Sequence, residues 1–147
     1  MAYQGTFAST SILTADELNG YGNVTIAQVN NFSVPNSTNT TVTFDTEIVD
    51  VDGWFAPSST SITPTISGIY LVTCNVVGLD SANRGLVNVG RAGTTVASED
   101  QDGGRDFSVA VHLSITSGQA ITTLLFQNSG STQTPDVTLG VQLIRAT

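Results

Sequence analysis

Lysine is absent from this chain, and positive charge of any kind is scarce. The sequence has 12 acidic side chains against 4 arginines and 1 histidine, and its net charge is −8. The arginines are scattered, at Arg84, Arg91, Arg105 and Arg145. Proteins that bind nucleic acid or an anionic membrane surface need clustered basic side chains to hold phosphate groups. The sequence therefore predicts neither a nucleic-acid partner nor a membrane partner.

Cysteine and histidine occur once each, as Cys74 and His112. A single cysteine excludes a disulfide within the chain. Cys74 lies in an apolar run, so we expect it to be a buried small hydrophobic residue and not a nucleophile. A lone histidine with no cysteine partner and no serine elbow forms no recognisable catalytic triad. Phosphate-binding glycine loops and zinc-ligand spacings are also missing, so we predict no catalytic residues, no cofactor and no enzyme.

Long apolar stretches are lacking as well. No run approaches the roughly 20 apolar residues that a membrane-spanning helix requires. The opening segment Met-Ala-Tyr-Gln-Gly lacks the basic start and the apolar centre of a signal peptide. We therefore expect a protein that is made and used in a cytoplasm, or one from which a leader has been removed.

Short strand-like runs separated by turn residues fill most of the chain. Apolar and polar residues alternate in 41–49 and strictly in 107–115, which is typical of half-buried strands. Turn signals such as Asp50-Val51-Asp52-Gly53 recur every ten or so residues, and Arg91-Ala92-Gly93 should be the centre of a hairpin. The pattern predicts an all-β antiparallel sandwich without a helix of useful length. Trp54 and Phe55 should pack in a loop, and exposure of this pair would instead suggest a binding spot.

The run from Ile69 to Val77 is largely apolar on both of its faces. A strand of this kind needs cover on both sides, and a partner subunit is one such cover. We therefore predict Ile69 and Leu71 as interface residues and place the alternate residues of the run in the core. The predicted core consists of Tyr70, Val72, Cys74, Val109, Val111, Leu113, Leu124, Phe126, Val141 and Leu143.

The most polar segment, 98–106, contains a weak candidate for a calcium site. Glu99, Asp100, Asp102 and Asp106 carry the carboxylate oxygens that calcium prefers, but their spacing does not match the helix–loop–helix pattern. We favour a solvated acidic loop and predict no metal site. The carboxylates between positions 45 and 52 suggest a glycosidase-like pair, but turn and surface roles explain them more simply.

Residues 1–26 have a different character from the rest of the chain. Phe7, Ile12, Leu13 and Leu18 are spaced apolar anchors in a background rich in Ser and Thr. We interpret this segment as an N-terminal arm that docks on a neighbour or a larger assembly, and its anchors as interface residues. The alternative is that it adds edge strands to its own domain.

Several motifs occur in an order that resembles one known family. They are Gln28–Asn36, Phe44-Asp45, Asp50-Val51-Asp52-Gly53, Ile62-Thr63-Pro64, Ser67–Val72, Ser117–Ile121 and Leu139–Ile144. Together they resemble the globular head domain of the complement first component's q subunit, which shares its jelly roll with the tumour necrosis factors. The resemblance covers about residues 27–147 and implies one jelly-roll domain there. It also implies a homotrimer, because jelly rolls of this family close around a three-fold axis. Some members of the family bind calcium.

The pattern from Gln28 to Asp52 is also similar to jelly rolls of bacteriophage structural proteins. With a short arm in place of a collagen stalk, the resemblance implies a non-enzymatic virion protein. We expect a trimeric capsid decoration (cement) protein or fibre knob on the capsid surface, made in the host cytoplasm. Its partner would be the major capsid protein or another virion protein. The alternative is a receptor- or glycan-binding module on a phage tail or a secreted protein, which would bind through loops at one end of the sandwich.

Overall fold

A computed structural model describes residues 23–80, 84–103 and 105–147 of the chain. These residues contain ten β-strands. The strands are β1 (Val24–Val29), β2 (Thr40–Thr41), β3 (Thr46–Asp50), β4 (Ser61–Ile62), β5 (Gly68–Val77), β6 (Gly85–Arg91), β7 (Thr94–Gln101), β8 (Phe107–Ile115), β9 (Ile121–Gln127) and β10 (Asp136–Ala146). No helix occurs in these ranges, and so none that is long and apolar enough to cross a membrane.

The strands form two five-stranded antiparallel sheets. The first sheet has the order β3-β1-β10-β5-β8, and the second has the order β2-β9-β6-β7, with β4 also paired to β9. Strands that are far apart in the sequence are neighbours, such as β1 and β10, so the chain passes repeatedly between the sheets. The predicted antiparallel jelly-roll sandwich is confirmed.

The core lies between the inner faces of the two sheets. In β5 the buried residues alternate as predicted, with Tyr70, Val72 and Cys74 inside and Ile69 and Leu71 on the other face. Strand β8 shows the same alternation, although Val111 is only partly buried. Period-two patterning places every second side chain on the same face, and so these strands were predictable from sequence.

The predicted inward face of β9 is wrong. Leu124 and Phe126 are only partly buried and lie on the outer side of the second sheet. Its inner face carries Leu125 together with the fully buried Thr123 and Gln127. The Gln127 amide donates hydrogen bonds to the carbonyl oxygens of Val34 and Ser131, at 3.0 and 2.8 Å, and these bonds offset the cost of burying a polar group. Both sets of alternate residues in this strand contain apolar side chains. The set with Leu124 and Phe126 is the more apolar at its end, so a prediction from polarity alone placed the wrong set in the core.

The segment 41–49 is not the single strand that its alternation predicts. Strand β2 belongs to the second sheet and β3 to the first, so the chain changes sheets between them. Phe44 lies at this crossing, fully buried, and its backbone forms an isolated bridge with Ser59. Val42 and Phe44 are fully buried, but the residues of β3 are exposed or only partly buried, with Ile48 55% exposed. The alternation of the sequence therefore reflects burial in the core only before the change of sheet.

The predicted boundary between arm and domain also shifts. Strand β1 begins at Val24, so residues 24–26 belong to the first sheet and not to the arm. Asn23 is also buried, and its carbonyl oxygen accepts a 2.9 Å hydrogen bond from the Leu143 amide. The arm anchors Phe7, Ile12, Leu13 and Leu18 lie outside the described residues.

The predicted hairpin between β6 and β7 is present. Ala92 and Gly93 connect the strands with φ angles of 48° and 82°. Positive φ at both central residues is the signature of the two-residue turn whose twist suits a hairpin. Strand β7 extends to Gln101, so Glu99 and Asp100 belong to a strand and not to the polar loop predicted for them.

We expect Cys74 to resist alkylation in the folded protein. Its side chain is fully buried, and this burial raises the pKa of the thiol to about 11, which keeps the reactive thiolate scarce near neutral pH. Mass spectrometry after incubation with iodoacetamide at pH 8 should show an unmodified chain, and full modification after unfolding in guanidinium. Rapid labelling of the native protein would contradict the burial.

Cys74→Ser should leave assembly intact, because no disulfide is involved.

Candidate functional site

The outer face of the first sheet is unusually apolar at its centre. Strand alternation places on it Val24, Ile26, Ile69, Leu71, Thr73, Gly140, Gln142 and Ile144, which we call the apolar outer face. None of these residues is charged, and Ile144 is 41% exposed. Contiguous exposed apolar surface on a water-soluble domain marks a site of contact with a partner. This surface is the strongest candidate for protein–protein association in the described residues.

A groove runs across the centre of the apolar outer face. It has a volume of about 140 Å³ and is lined by residues of three neighbouring strands, among them Ile26 of β1, Gly140 of β10 and Leu71 of β5. The groove exists because Gly140 has no side chain. A Cβ at this position would lie 2.7 Å from the Thr73 hydroxyl and 3.9 Å from the Ile26 side chain. The missing side chain leaves room for an apolar side chain of a partner.

The sequence identified only part of this surface. Ile69 and Leu71, predicted as interface residues, lie on the apolar outer face. Ile26 and Gly140 were not predicted. Ile26 falls within the segment interpreted as the arm, and a glycine in a strand sequence does not show on which face its missing side chain leaves space. The sequence of β1 has apolar residues on both sides of the strand, and this pattern could have indicated that Ile26 belongs to an outer apolar surface.

The four residues of the acidic calcium candidate do not come together. Asp100 pairs with Arg84, with a shortest distance of 2.7 Å, and this pairing lowers the pKa of the Asp100 carboxyl. Asp106 accepts a hydrogen bond from the Gly78 amide, and Glu99 accepts one from the Gln101 side chain. Within the described ranges no group of three or more His, Cys, Asp or Glu side chains is placed to hold a metal ion.

The turn after β3 is built around the Asp50 carboxylate. Its oxygens accept hydrogen bonds from the Thr25 hydroxyl at 2.7 Å and from the backbone amides of Trp54 and Phe55 at 2.9 and 3.0 Å. Trp54 and Phe55 are 3% and 7% exposed, so the predicted packed loop is confirmed and the pair is not a surface binding spot. Partial burial, and then the charge of Asp50, raise the pKa of the neighbouring Asp52.

The same cluster connects the turn to the core. The Trp54 ring meets Tyr70 edge to face, with centroids 5.7 Å apart, and its indole N–H donates to the Thr65 hydroxyl at 3.1 Å. The Tyr70 hydroxyl donates to the Ile66 carbonyl at 2.6 Å, and burial raises its pKa to about 12. The Asp50 carboxylate, the Trp54 indole and the Tyr70 hydroxyl each have a structural partner. The cluster therefore stabilises one end of the sandwich.

The fold and this surface define a class of protein: an antiparallel jelly-roll domain that presents one apolar sheet face. Solved structures with the same fold include the globular domain of the zebrafish complement 1qA protein, with a TM-score of 0.68 and 15% identity. The match covers 85% of this chain and 99% of that one. Murine APRIL, a tumour-necrosis-factor-like protein, has a TM-score of 0.61 at 15% identity, with 82% of this chain and 99% of that chain covered.

A phage protein has the same architecture. Vertex protein P5 of PRD1 has a TM-score of 0.64 at 11% identity, and the match covers 85% of this chain and 99% of that one. No protein-family model matches the chain, and no curated protein matches it by sequence. The resemblance to the jelly rolls of complement heads and tumour necrosis factors is thus confirmed in the fold.

Proposed function

We propose that this chain is a non-enzymatic structural protein of a bacteriophage virion, a trimeric capsid decoration protein or fibre knob. The observation that carries the proposal is the shared fold with a phage vertex protein, which extends over 99% of that protein's structure. The functional groups support a non-enzymatic role, because Cys74 is buried with a raised thiol pKa and the Asp50 carboxylate is engaged in a turn.

The apolar outer face supports the trimer. Copies of this chain carry the same charge of −8 and repel one another, so association depends on apolar burial and not on ion pairs. A central patch without charged side chains meets this requirement. The complement-head and tumour-necrosis-factor-like proteins that share the fold are homotrimers. In the proposed trimer, a neighbouring copy covers Ile69 and Leu71 and inserts an apolar side chain into the groove beside Gly140.

The N-terminal segment supplies the attachment to the particle. Spaced apolar anchors in a chain of this charge favour apolar and hydrogen-bonded contacts with a virion protein over electrostatic ones. Three such segments on one trimer would act together, and multivalency raises apparent affinity by roughly 10²–10⁴ without a strong single contact.

Quantitative mass spectrometry of purified virus particles from the source of this sequence tests the proposed function. We expect the chain in the particles, in copy numbers divisible by three, on a capsid surface that antibodies to the folded domain can reach. Absence of the chain from purified particles would overturn the proposal.

Deleting residues 1–22 should abolish binding to particles while leaving a folded, soluble trimer. The deletion stops before Asn23 because its carbonyl oxygen bonds Leu143 and its side chain is buried. Co-sedimentation of purified protein with particles stripped of it measures the occupancy, and circular dichroism and light scattering check the fold and the trimer. Unchanged occupancy would mean that the jelly roll itself attaches to the particle. A matched control is a variant in which only residues 1–6 are deleted, which keeps all the apolar anchors and should bind.

A further inference from the structure

The outer face of the second sheet contains a groove of a different chemical character. It has a volume of about 230 Å³ and is lined by Thr41, Asn88, Gly90, Gly93, Thr94, Thr95, Thr122 and Leu124. Strand pairing explains this grouping, because Asn88 and Thr41 both lie opposite Leu124 on the flanking strands and Gly90 lies opposite Thr122. No charged side chain is among the lining residues. The groove is therefore a neutral surface rich in hydroxyl groups on an acidic protein.

An irregularity in the β6–β7 pairing shapes this groove. The register shifts between Val89 and Gly90, so that Val89 pairs with Ala97 but Gly90 pairs with Thr95. Thr94 and Thr95 both line the groove, and the backbone carbonyl oxygen of Thr94 faces Gly90, 3.7 Å from where a Cβ would lie. Such a register shift is a β-bulge, in which one strand has an extra residue. Bulges change the direction of nearby side chains and are over-represented next to active sites. Here the shift places Thr95 directly opposite Gly90, at the edge of the groove.

The polar groups of the groove are not used by the fold. Within the part of the chain that the structure describes, the side chains of Asn88, Thr94, Thr95 and Thr122 make no hydrogen bond to other residues. Asn88 and Thr122 are nevertheless half-buried. An amide offers two donor hydrogens and an acceptor oxygen, and each hydroxyl offers both functions. These groups converge on one space and can bind a ligand that carries several hydroxyl groups.

We infer that this groove binds one neutral sugar unit of a glycan. Leu124 supplies an apolar patch for the C–H face of a sugar ring, and Asn88 with the threonines supplies partners for its hydroxyl groups. The volume is below the ~300–1,000 Å³ of pockets that bury drug-sized ligands, so it takes a single ring. The absence of arginine or lysine from the lining, and the net charge of −8, select a neutral sugar over an acidic one.

Trimer formation leaves this site accessible. The groove and the apolar outer face lie on opposite sides of the sandwich, so a trimer closed through the first sheet leaves the second sheet facing solvent. Single sites of this size bind weakly, and three grooves on one trimer would strengthen attachment to a glycan-coated surface. The sugar site itself does not depend on the proposed trimer or on a virion location.

Nuclear magnetic resonance titration of the full chain tests the inference. The probes are the methyl glycosides of glucose, galactose, mannose and N-acetylglucosamine at up to ~50 mM, a range that covers millimolar dissociation constants. We expect at least one of them to shift the backbone amide signals of Asn88, Gly90, Thr95 and Thr122 in a saturable way. The methyl glycoside of N-acetylneuraminic acid should bind at least threefold more weakly, because its carboxylate meets an acidic protein. No saturable shift at these signals with any of the neutral glycosides would overturn the inference.

Two variants locate the site. Asn88→Ala should weaken binding about tenfold, because two hydrogen bonds to the sugar are lost. Thr122→Val keeps the size and shape of the side chain while removing its hydroxyl, and it should weaken binding even if Asn88→Ala perturbs the fold. Asn30→Ala, at an exposed position outside the groove, is the matched control and should bind as the unmodified chain does. Equal affinity in all three variants would contradict binding at this groove. Light scattering on the same samples reports the trimer separately.

Discussion

Leu71→Asp is expected to convert the proposed trimer into a folded monomer. Leu71 lies on the central strand pair of the apolar outer face and lines its groove, where a neighbouring copy would bury it. A carboxylate at this position would have to be buried at each of three equivalent contacts, and burying a charge costs several kcal/mol per ion. The monomer keeps its own core, because Leu71 does not point into it. Multi-angle light scattering should show the mass falling from three times 15.3 kDa to once that value.

A matched substitution on the other side of the sandwich separates loss of assembly from general damage. Leu124, like Leu71, is a partly buried leucine, and it faces outward from the second sheet. Leu124→Asp should therefore remain trimeric, and both variants should keep the β-rich circular dichroism spectrum of the unmodified protein. A trimeric Leu71→Asp variant, or an unmodified protein that is monomeric at micromolar concentration, would contradict the proposed interface.

Asp50→Ala should cause the largest loss of stability among the surface carboxylates. The substitution removes the acceptor for three hydrogen bonds, from Thr25, Trp54 and Phe55, and leaves two backbone amides of a packed turn without a partner. Unsatisfied groups of this kind cost about 1–3 kcal/mol each, so we expect the free energy of unfolding to fall by about 3 kcal/mol. For a domain of this size the midpoint of thermal unfolding should fall by roughly 10 °C.

Asp45→Ala is the control for this prediction. Asp45 is exposed, and among the described residues its carboxylate accepts a hydrogen bond only from the neighbouring Thr46 hydroxyl, so the midpoint should change by less than ~2 °C. Differential scanning calorimetry at equal protein concentration compares the variants, since dissociation of the proposed trimer would make the midpoint depend on concentration. Equal midpoints for the two variants would mean that the turn does not depend on the Asp50 carboxylate.

In Asp50→Ala the pKa of Asp52 should also move down toward its usual value, because the charge of Asp50 helps to raise it.

The proposed sugar site and the proposed trimer interface would give the two outer faces of one sandwich different roles. The apolar outer face carries no charged side chain and few hydrogen-bonding groups, which favours a protein partner. The groove of the second sheet holds unused amide and hydroxyl groups, which favours a hydroxylated ligand. Both depend on glycine, at Gly140 on one face and Gly90 on the other, because a side chain at either position would fill the groove.

The sequence by itself determined the features that depend on local patterning. Strict alternation in 107–115 predicted β8 and its inward face, because side chains of a strand alternate between its two sides. The acidic turn before Trp54 and the hairpin at Ala92 and Gly93 were predictable from residues that adopt tight backbone conformations. The two-faced apolar run from Ile69 to Val77 indicated both a core strand and an outer surface that needs cover.

Only the tertiary structure decided which strands are neighbours and what their outer faces bring together. The segment 41–49 alternates through a change of sheet, and β9 has apolar residues in both registers, so its pattern could not show that Thr123 and Gln127 lie inside. The groove beside Gly140 combines residues from β1, β5 and β10, and the hydroxyl groove combines β2, β6, β7 and β9. Such sites arise from pairing between strands that are far apart in the sequence. The register of each pair of strands depends on how all the strands bury their apolar residues in one core, and a short segment of sequence does not contain this information.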